Sequence, residues 1–206
     1  MRLDLSRLSG GFLVAPLVLG LVAAGIMIAT GAIRAFGAQL RGSLVEMGPY
    51  VRVSGIGNIL WAVAWTSLLI GFATLTRVLA DAGDQYLAKV SLVVVTVAVV
   101  LALLEASFGF TVGQWAIREA ADTGVTPEIY TVLRGWTNGM QGVYIALSLA
   151  ATAGFGAALL QTGVISPAVS RFAIIWSLAW LLVLAFGIPA LVLVAPAVVG
   201  VTLLLG

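Results

Sequence analysis

Long apolar runs separated by short polar segments constrain this chain more than any other feature of its sequence. Six of them cover residues 12–33, 56–76, 88–112, 139–161, 170–187 and 189–206. A helix needs about 20 mostly apolar residues to cross the hydrocarbon core of a bilayer, and these runs match or approach that length. They predict an all-α fold in which residues 1–206 form one domain, a bundle of six transmembrane helices.

The pattern inside the runs excludes the other structure that can span a membrane. Strands of a membrane barrel alternate apolar and polar residues, whereas the segment from Ser91 to Leu104 does not alternate. Of all residues, 62% are hydrophobic and 9% are charged, with a mean hydropathy of +1.17; soluble domains have about 25% charged residues. The first run exceeds the roughly 7–15 apolar residues of a signal peptide, so we expect it to remain as the first span.

The absence of two residue types limits the metal sites and the catalytic groups that this chain can form. The chain contains no histidine and no cysteine, which removes disulfides, thiol nucleophiles, iron–sulfur clusters and nearly all zinc sites. No serine has a histidine base, so we expect a protein that is not an enzyme and has no metal or cofactor. A bound lipid or lipophilic pigment is the alternative that these absences do not exclude. A net charge of +2 indicates no basic face for nucleic acid.

Two connections between the runs are long enough to hold structure of their own. The first, residues 34–55, is expected to lie flat in the membrane interface. In the second, residues 118–138, Thr126, Pro127 and Glu128 match an N-cap, a first-turn proline and an acid at the positive helix end. They predict a short interfacial helix over residues 127–135, between spans three and four. Spans five and six, separated by residues 187–189, are predicted to form a tight antiparallel hairpin.

Basic residues do not orient the chain in the membrane. The side of the N-terminus would hold Arg2, Arg7, Arg77, Lys89 and Arg171, and the opposite side Arg34, Arg41, Arg52, Arg118 and Arg134. The positive-inside rule therefore gives a tie. Arg2 and Arg7 beside the first span favour a cytoplasmic N-terminus. The excess of arginine over lysine, with abundant Ala, Val, Gly and Leu, indicates a bacterial protein, and hence the inner membrane.

Glu105 is the only charged residue between Lys89 and Arg118. A charge at the centre of a bilayer costs about 2.5–3.5 kcal/mol, so such residues usually face a partner or a cavity. At helical spacing its stripe holds only small residues, Ala98, Ala102, Gly109 and Gly113. Small residues let membrane helices approach closely. We therefore expect Glu105 to point into the bundle and, without a cation beside it, to be protonated at pH 7.

The candidate partners of Glu105 are polar but uncharged. Run two offers Asn58, Trp61 and Trp65 on one face, and run four offers Gln141 and Tyr144. One hypothesis is a hydrogen bond that joins two helices, at about 0.6 kcal/mol for a typical bond inside a membrane. The other is a small-molecule site with aromatic walls and a polar anchor. Tryptophan also anchors helices at the membrane interface, so both hypotheses stay open.

Two segments resemble a known family. Leu103-Leu104-Glu105-Ala106, and residues 154–167 from Gly154 to Pro167, are similar to an uncharacterised bacterial six-span membrane family, of the type called domain of unknown function 4386. The resemblance covers most of the chain and implies six helices without an assigned activity. In that family an arginine often precedes the glutamate by one turn, where this chain has Ala102.

Two functions follow as hypotheses. The first is a non-enzymatic accessory or structural subunit of a larger membrane complex, embedded in the bilayer and bound to other membrane proteins with which it should co-purify. The second is a small carrier or pore for a small or lipophilic solute, with Glu105 at a mid-membrane site.

Overall fold

Helices make up nearly all of the chain that the structure, a computed structural model, describes: residues 4–40, 43–183 and 189–206. The α-helices are α1 (Leu5–Ala29), α2 (Ala32–Leu40), α3 (Val51–Asp81), α4 (Leu87–Phe108), α5 (Gln114–Thr123), α6 (Glu128–Thr162), α7 (Pro167–Leu182) and α8 (Val194–Leu205). Two 3-10 helices, Val45–Tyr50 and Pro189–Leu193, and one π-helical turn, Gly109–Gly113, complete the set. The described ranges contain no strand, so the predicted all-α fold is confirmed.

Four helical segments are long and apolar enough to cross a membrane. They are Leu5–Ala29, Val45–Asp81, Leu87–Thr123 and Glu128–Thr162. The chain is therefore a membrane-embedded helical protein. The remaining apolar helices are shorter, Pro167–Leu182 and Leu191–Leu205; the 16 residues of α7 reach about 24 Å, against about 30 Å of hydrocarbon. Six crossings remain a prediction. The predicted hairpin turn lies mostly outside the described residues, although α7 and α8 contact each other.

The third membrane segment extends further than the sequence predicted. Where the apolar run ends at residue 112, the helix continues through the π-helical turn into α5 and ends at Thr123. Gly124 follows with φ 75°, a left-handed conformation that glycine adopts without strain and that commonly closes a helix. A segment of 37 residues spans about 55 Å, so α5 extends beyond the hydrocarbon core.

The short interfacial helix predicted for residues 127–135 is wrong as a separate element. α6 begins at Glu128 and continues through Gly135 to Thr162 without a break. A glycine inside a helix costs about 1 kcal/mol, whereas an interruption leaves backbone groups without partners, which costs several kcal/mol each near lipid. Thr126 does not form the expected cap, since Pro127 is the N-cap residue. The Thr126 hydroxyl instead accepts a hydrogen bond from the Leu44 amide, at 3.1 Å.

The first long connection folds into α2 and the 3-10 helix Val45–Tyr50. Together with α5 these elements form what we call the cap. The cap has a small apolar core shared with the start of α6, made of Ala35, Leu44, Met47, Ala116, Ile117, Ala120 and Tyr130. It therefore covers one end of the bundle as a packed layer.

The main core lies between the long helices. α1 packs on α3 and α8, α4 packs on α6, and α6 packs on α7. Phe72 of α3 and Phe155 of α6 stack with ring centroids 4.3 Å apart. The Ser9 hydroxyl of α1 donates to the Gly71 carbonyl of α3 at 2.9 Å. These contacts fix the helices that surround the site described next.

Candidate functional site

A cavity of about 520 Å³ lies between the long helices, beside the cap. Its walls come from the second half of α1, the first halves of α3 and α6, the end of α4, and the cap. Of the residues singled out in the sequence, it is lined by Asn58, Trp61, Glu105, Gly109, Gly113 and Gln141. Small-molecule sites typically measure about 300–1,000 Å³, so the cavity has the size of such a site.

Glu105 is joined to α6 and also faces the cavity. The Tyr144 hydroxyl donates to its Oε2 atom at 2.6 Å. Tyr144 is fully buried, while Glu105 is half-buried and lines the cavity. The Trp61 and Gln141 side chains also interact with the Tyr144 hydroxyl. The glutamate therefore joins α4 to α6 by a direct hydrogen bond, while part of its side chain remains accessible from the cavity.

Trp65 lies behind the cavity wall. It is 1% exposed and makes edge-on ring contacts with Trp61 and Tyr144, with centroids 5.9 Å and 5.2 Å away. Its indole Nε1 atom, like the Ser148 hydroxyl, is buried without a hydrogen-bond partner among the described residues. Trp65 thus supports the two residues in front of it and does not line the cavity.

The small-residue stripe of the third span divides into two parts. Ala98 and Ala102 are fully buried in the core. Gly109 and Gly113 bound the π-helical turn and line the cavity. A Cβ atom on Gly109 would lie 2.7 Å from the Asn58 Oδ1 atom, closer than real contacts allow. The glycine therefore lets Asn58 approach the α4 backbone at a π-helical turn, a feature that is frequent at functional sites.

Arg134 is the site residue that sequence reasoning missed. It lines the cavity together with Glu105. Its Nη1 atom donates to the Tyr130 hydroxyl at 2.8 Å, which also accepts from Gln39 Nε2 of the cap at 3.5 Å. A signal was present, because Arg134, Asn138 and Gln141 have helical spacing on one face. The predicted break at Gly135 separated Arg134 from that face.

The described residues contain no group of three or more acidic side chains that could hold a metal ion. The polar groups of the cavity include a carboxyl, a guanidinium, amides, hydroxyls and an indole, which suit hydrogen bonding to an organic solute.

Comparisons with protein-family models, with curated proteins and with solved structures found no match. The resemblance to an uncharacterised six-span family therefore stays a prediction.

Proposed function

We propose that this protein binds a small organic solute in the cavity and carries it across the membrane. One observation carries the proposal: an acid, a cation and amides line one cavity inside a membrane-embedded bundle, at Glu105, Arg134, Asn58 and Gln141. Polar groups in a bilayer are costly and usually mark a functional path. A structural hydrogen bond between Glu105 and Tyr144, with Gln141 beside it, does not account for Arg134 and Asn58 in the same cavity.

The roles follow from the positions of these side chains. Glu105 accepts a hydrogen bond from the solute while the Tyr144 hydroxyl holds the carboxyl in place. Trp61 supplies a flat apolar wall beside it, and Trp65 fixes that wall from behind by its ring contact at 5.9 Å. The cap covers one end of the site. Transport requires this end and the opposite end to open in turn.

Access to the cavity can be tested with one cysteine, because the chain has none of its own. Gly57 lines the cavity, and a Cβ atom there would meet nothing within 4 Å. In proteoliposomes we expect Gly57→Cys to react with small polar thiol reagents added from either side, since a carrier exposes its site to both. The matched control is Gly25→Cys, at an exposed glycine of α1 that does not line the cavity. It should react at least tenfold more slowly because lipid lowers thiolate formation and excludes polar reagents.

An unreactive Gly57→Cys would contradict the carrier proposal. The role of a subunit in a larger complex would then be favoured by the outer face of α6. There Gly135, Gly139 and Gly142 are exposed, with nothing within 4 Å of an added Cβ atom, a surface on which a partner helix can pack closely. Co-purifying membrane proteins would be the readout for that role.

We further propose six crossings in a bacterial inner membrane, with both termini in the cytoplasm. Exposed positions provide the test: Asp81 ends α3, Asp122 lies in the last turn of α5, and Leu205 ends α8. If both termini are cytoplasmic, an impermeant thiol reagent should label Asp122→Cys in intact cells and leave Asp81→Cys and Leu205→Cys unlabelled until the cells are opened. Labelling of Leu205→Cys from outside would show that only one of α7 and α8 crosses the membrane.

A further inference from the structure

Arg134 makes no salt bridge in the part of the chain that the structure describes, although its charge is attracted by the Glu105 carboxyl of the same cavity. The one salt bridge among those residues joins Arg7 and Asp4 at the start of α1. A guanidinium has five N–H donors, and one of them is used by the Tyr130 hydroxyl, at 2.8 Å. An arginine that faces a cavity inside a membrane protein without a carboxylate in contact is a ready receptor for an anionic group.

The guanidinium is also held in position. Its Cζ atom lies 6.0 Å from the centroid of the Tyr130 ring, and Tyr130 is itself 3% exposed in the core of the cap. Phe108 stacks on the same ring at 6.0 Å. A receptor group that is already fixed loses little entropy when a solute binds. Arg134 is therefore organised for binding before any solute arrives.

A second polar group faces the cavity at a different height along α6. Seven residues separate Arg134 from Gln141, or about 10 Å along the helix axis. Gln141 is near the Tyr144 hydroxyl that binds Glu105. The wall of the cavity that α1 supplies is apolar or bare, with Gly20, Ala23, Ala24 and Met27, whereas the amides of Asn58 on α3 and Asn138 on α6 also line the cavity. The cavity therefore has a cationic level, a level with a carboxyl acceptor, and an apolar wall on the side of α1.

We propose that the solute is an elongated molecule with an anionic group at one end and a hydrogen-bond donor at the other. Its carboxylate or phosphate binds Arg134, its short apolar body lies along α1, and its ammonium or hydroxyl donates to Glu105. This inference rests on the proposed function, since it names the class of solute that the same cavity takes. Neutral apolar molecules and simple amines fit the arrangement less well, because they bring no anionic group to the Arg134 guanidinium.

Protection of Gly57→Cys from N-ethylmaleimide measures the preference directly. The probes are 6-aminohexanoate, hexanoate, hexylamine and 1-hexanol, which share a chain length and differ in their ends. We expect 6-aminohexanoate to protect at the lowest concentration, and hexanoate at a concentration about tenfold below that of 1-hexanol, as one charge-assisted hydrogen bond allows. Two further probes distinguish a soluble phosphate from a lipid headgroup. Hexyl phosphate is added from water, and a lysophosphatidate is added to the bilayer.

Variants of Arg134 identify the receptor. Arg134→Gln should remove the roughly tenfold advantage of the acids over 1-hexanol, while Arg134→Lys keeps a cation and should retain part of it. Unchanged labelling of Gly57→Cys without solute shows that the cavity persists in both variants.

Two results would overturn the inference while the carrier proposal stands: equal protection by all probes, or failure of every probe although Gly57→Cys is labelled from both sides. Labelling of Gly57→Cys from neither side would instead remove the proposed function itself.

Discussion

Gly10→Val is expected to destabilise the bundle more than any other change considered for this protein. At Gly10 the helices α1 and α8 cross so closely that an added Cβ atom would lie 2.7 Å from the Gly200 carbonyl oxygen. The nearest atoms of Leu204 and Leu203 are 3.0 and 3.2 Å away. Because the first obstacle is backbone, no rotamer change relieves it, and the helices must separate. Overpacking of this kind costs about 1–3 kcal/mol.

The neighbouring residue supplies the control. Gly11 has nothing within 4 Å of an added Cβ atom, so Gly11→Val adds the same side chain to the same helix without a clash. We expect thermal unfolding in detergent to occur roughly 2–12 °C lower for Gly10→Val, with Gly11→Val near the parent protein. Equal unfolding temperatures for the two variants would show that α1 and α8 do not cross at Gly10.

Glu105→Leu is expected to cost about 1–2 kcal/mol of stability, because it removes the acceptor of a fully buried hydroxyl. Glu105→Gln keeps an oxygen acceptor at the same place and should stay within about 0.5 kcal/mol of the parent protein. Tyr144→Phe in the Glu105→Leu background should add little further loss, because the bond is already gone. A double-mutant cycle measured by unfolding in mixed micelles gives the coupling between the two side chains.

The same variants separate the two roles of Glu105. If the carboxyl only joins α4 to α6, Glu105→Gln leaves both stability and protection of Gly57→Cys unchanged. If it also binds the solute, Glu105→Gln keeps stability but raises the protecting concentration of 6-aminohexanoate relative to that of hexanoate. Additive losses in the cycle would contradict the direct bond between Glu105 and Tyr144.

The sequence predicted well wherever one physical effect dominates. Apolar runs that exclude charge must be helical in a membrane, because every backbone group needs a partner inside its own segment. The small residues beside Glu105 placed it inside the bundle, where the structure has it. The helical spacing of Gln141 and Tyr144 put both on one face, and Tyr144 is the residue that contacts the glutamate.

Prediction failed where local and tertiary preferences compete. Gly135 and the pattern around Pro127 indicate a short helix when read alone, yet α6 continues because a break would expose unpaired backbone. The same error placed Arg134 in a connection between spans, so the sequence did not predict that a cation lines the cavity. Trp65 shares a face with Trp61 in the sequence, but only packing against Tyr144 shows that it lies behind the wall.

The sequence by itself therefore determined that the chain forms apolar helices suited to a membrane, because hydropathy is a property of each residue and can be read without knowledge of the fold. It also identified Glu105, since a single acid in an apolar run is visible without a fold. Only the tertiary structure decided what surrounds that acid: the Tyr144 hydroxyl at 2.6 Å, the π-helical turn at Gly109, and Arg134 in the same cavity. Those relations join residues far apart in the chain, and they depend on how helices of fixed length cross one another.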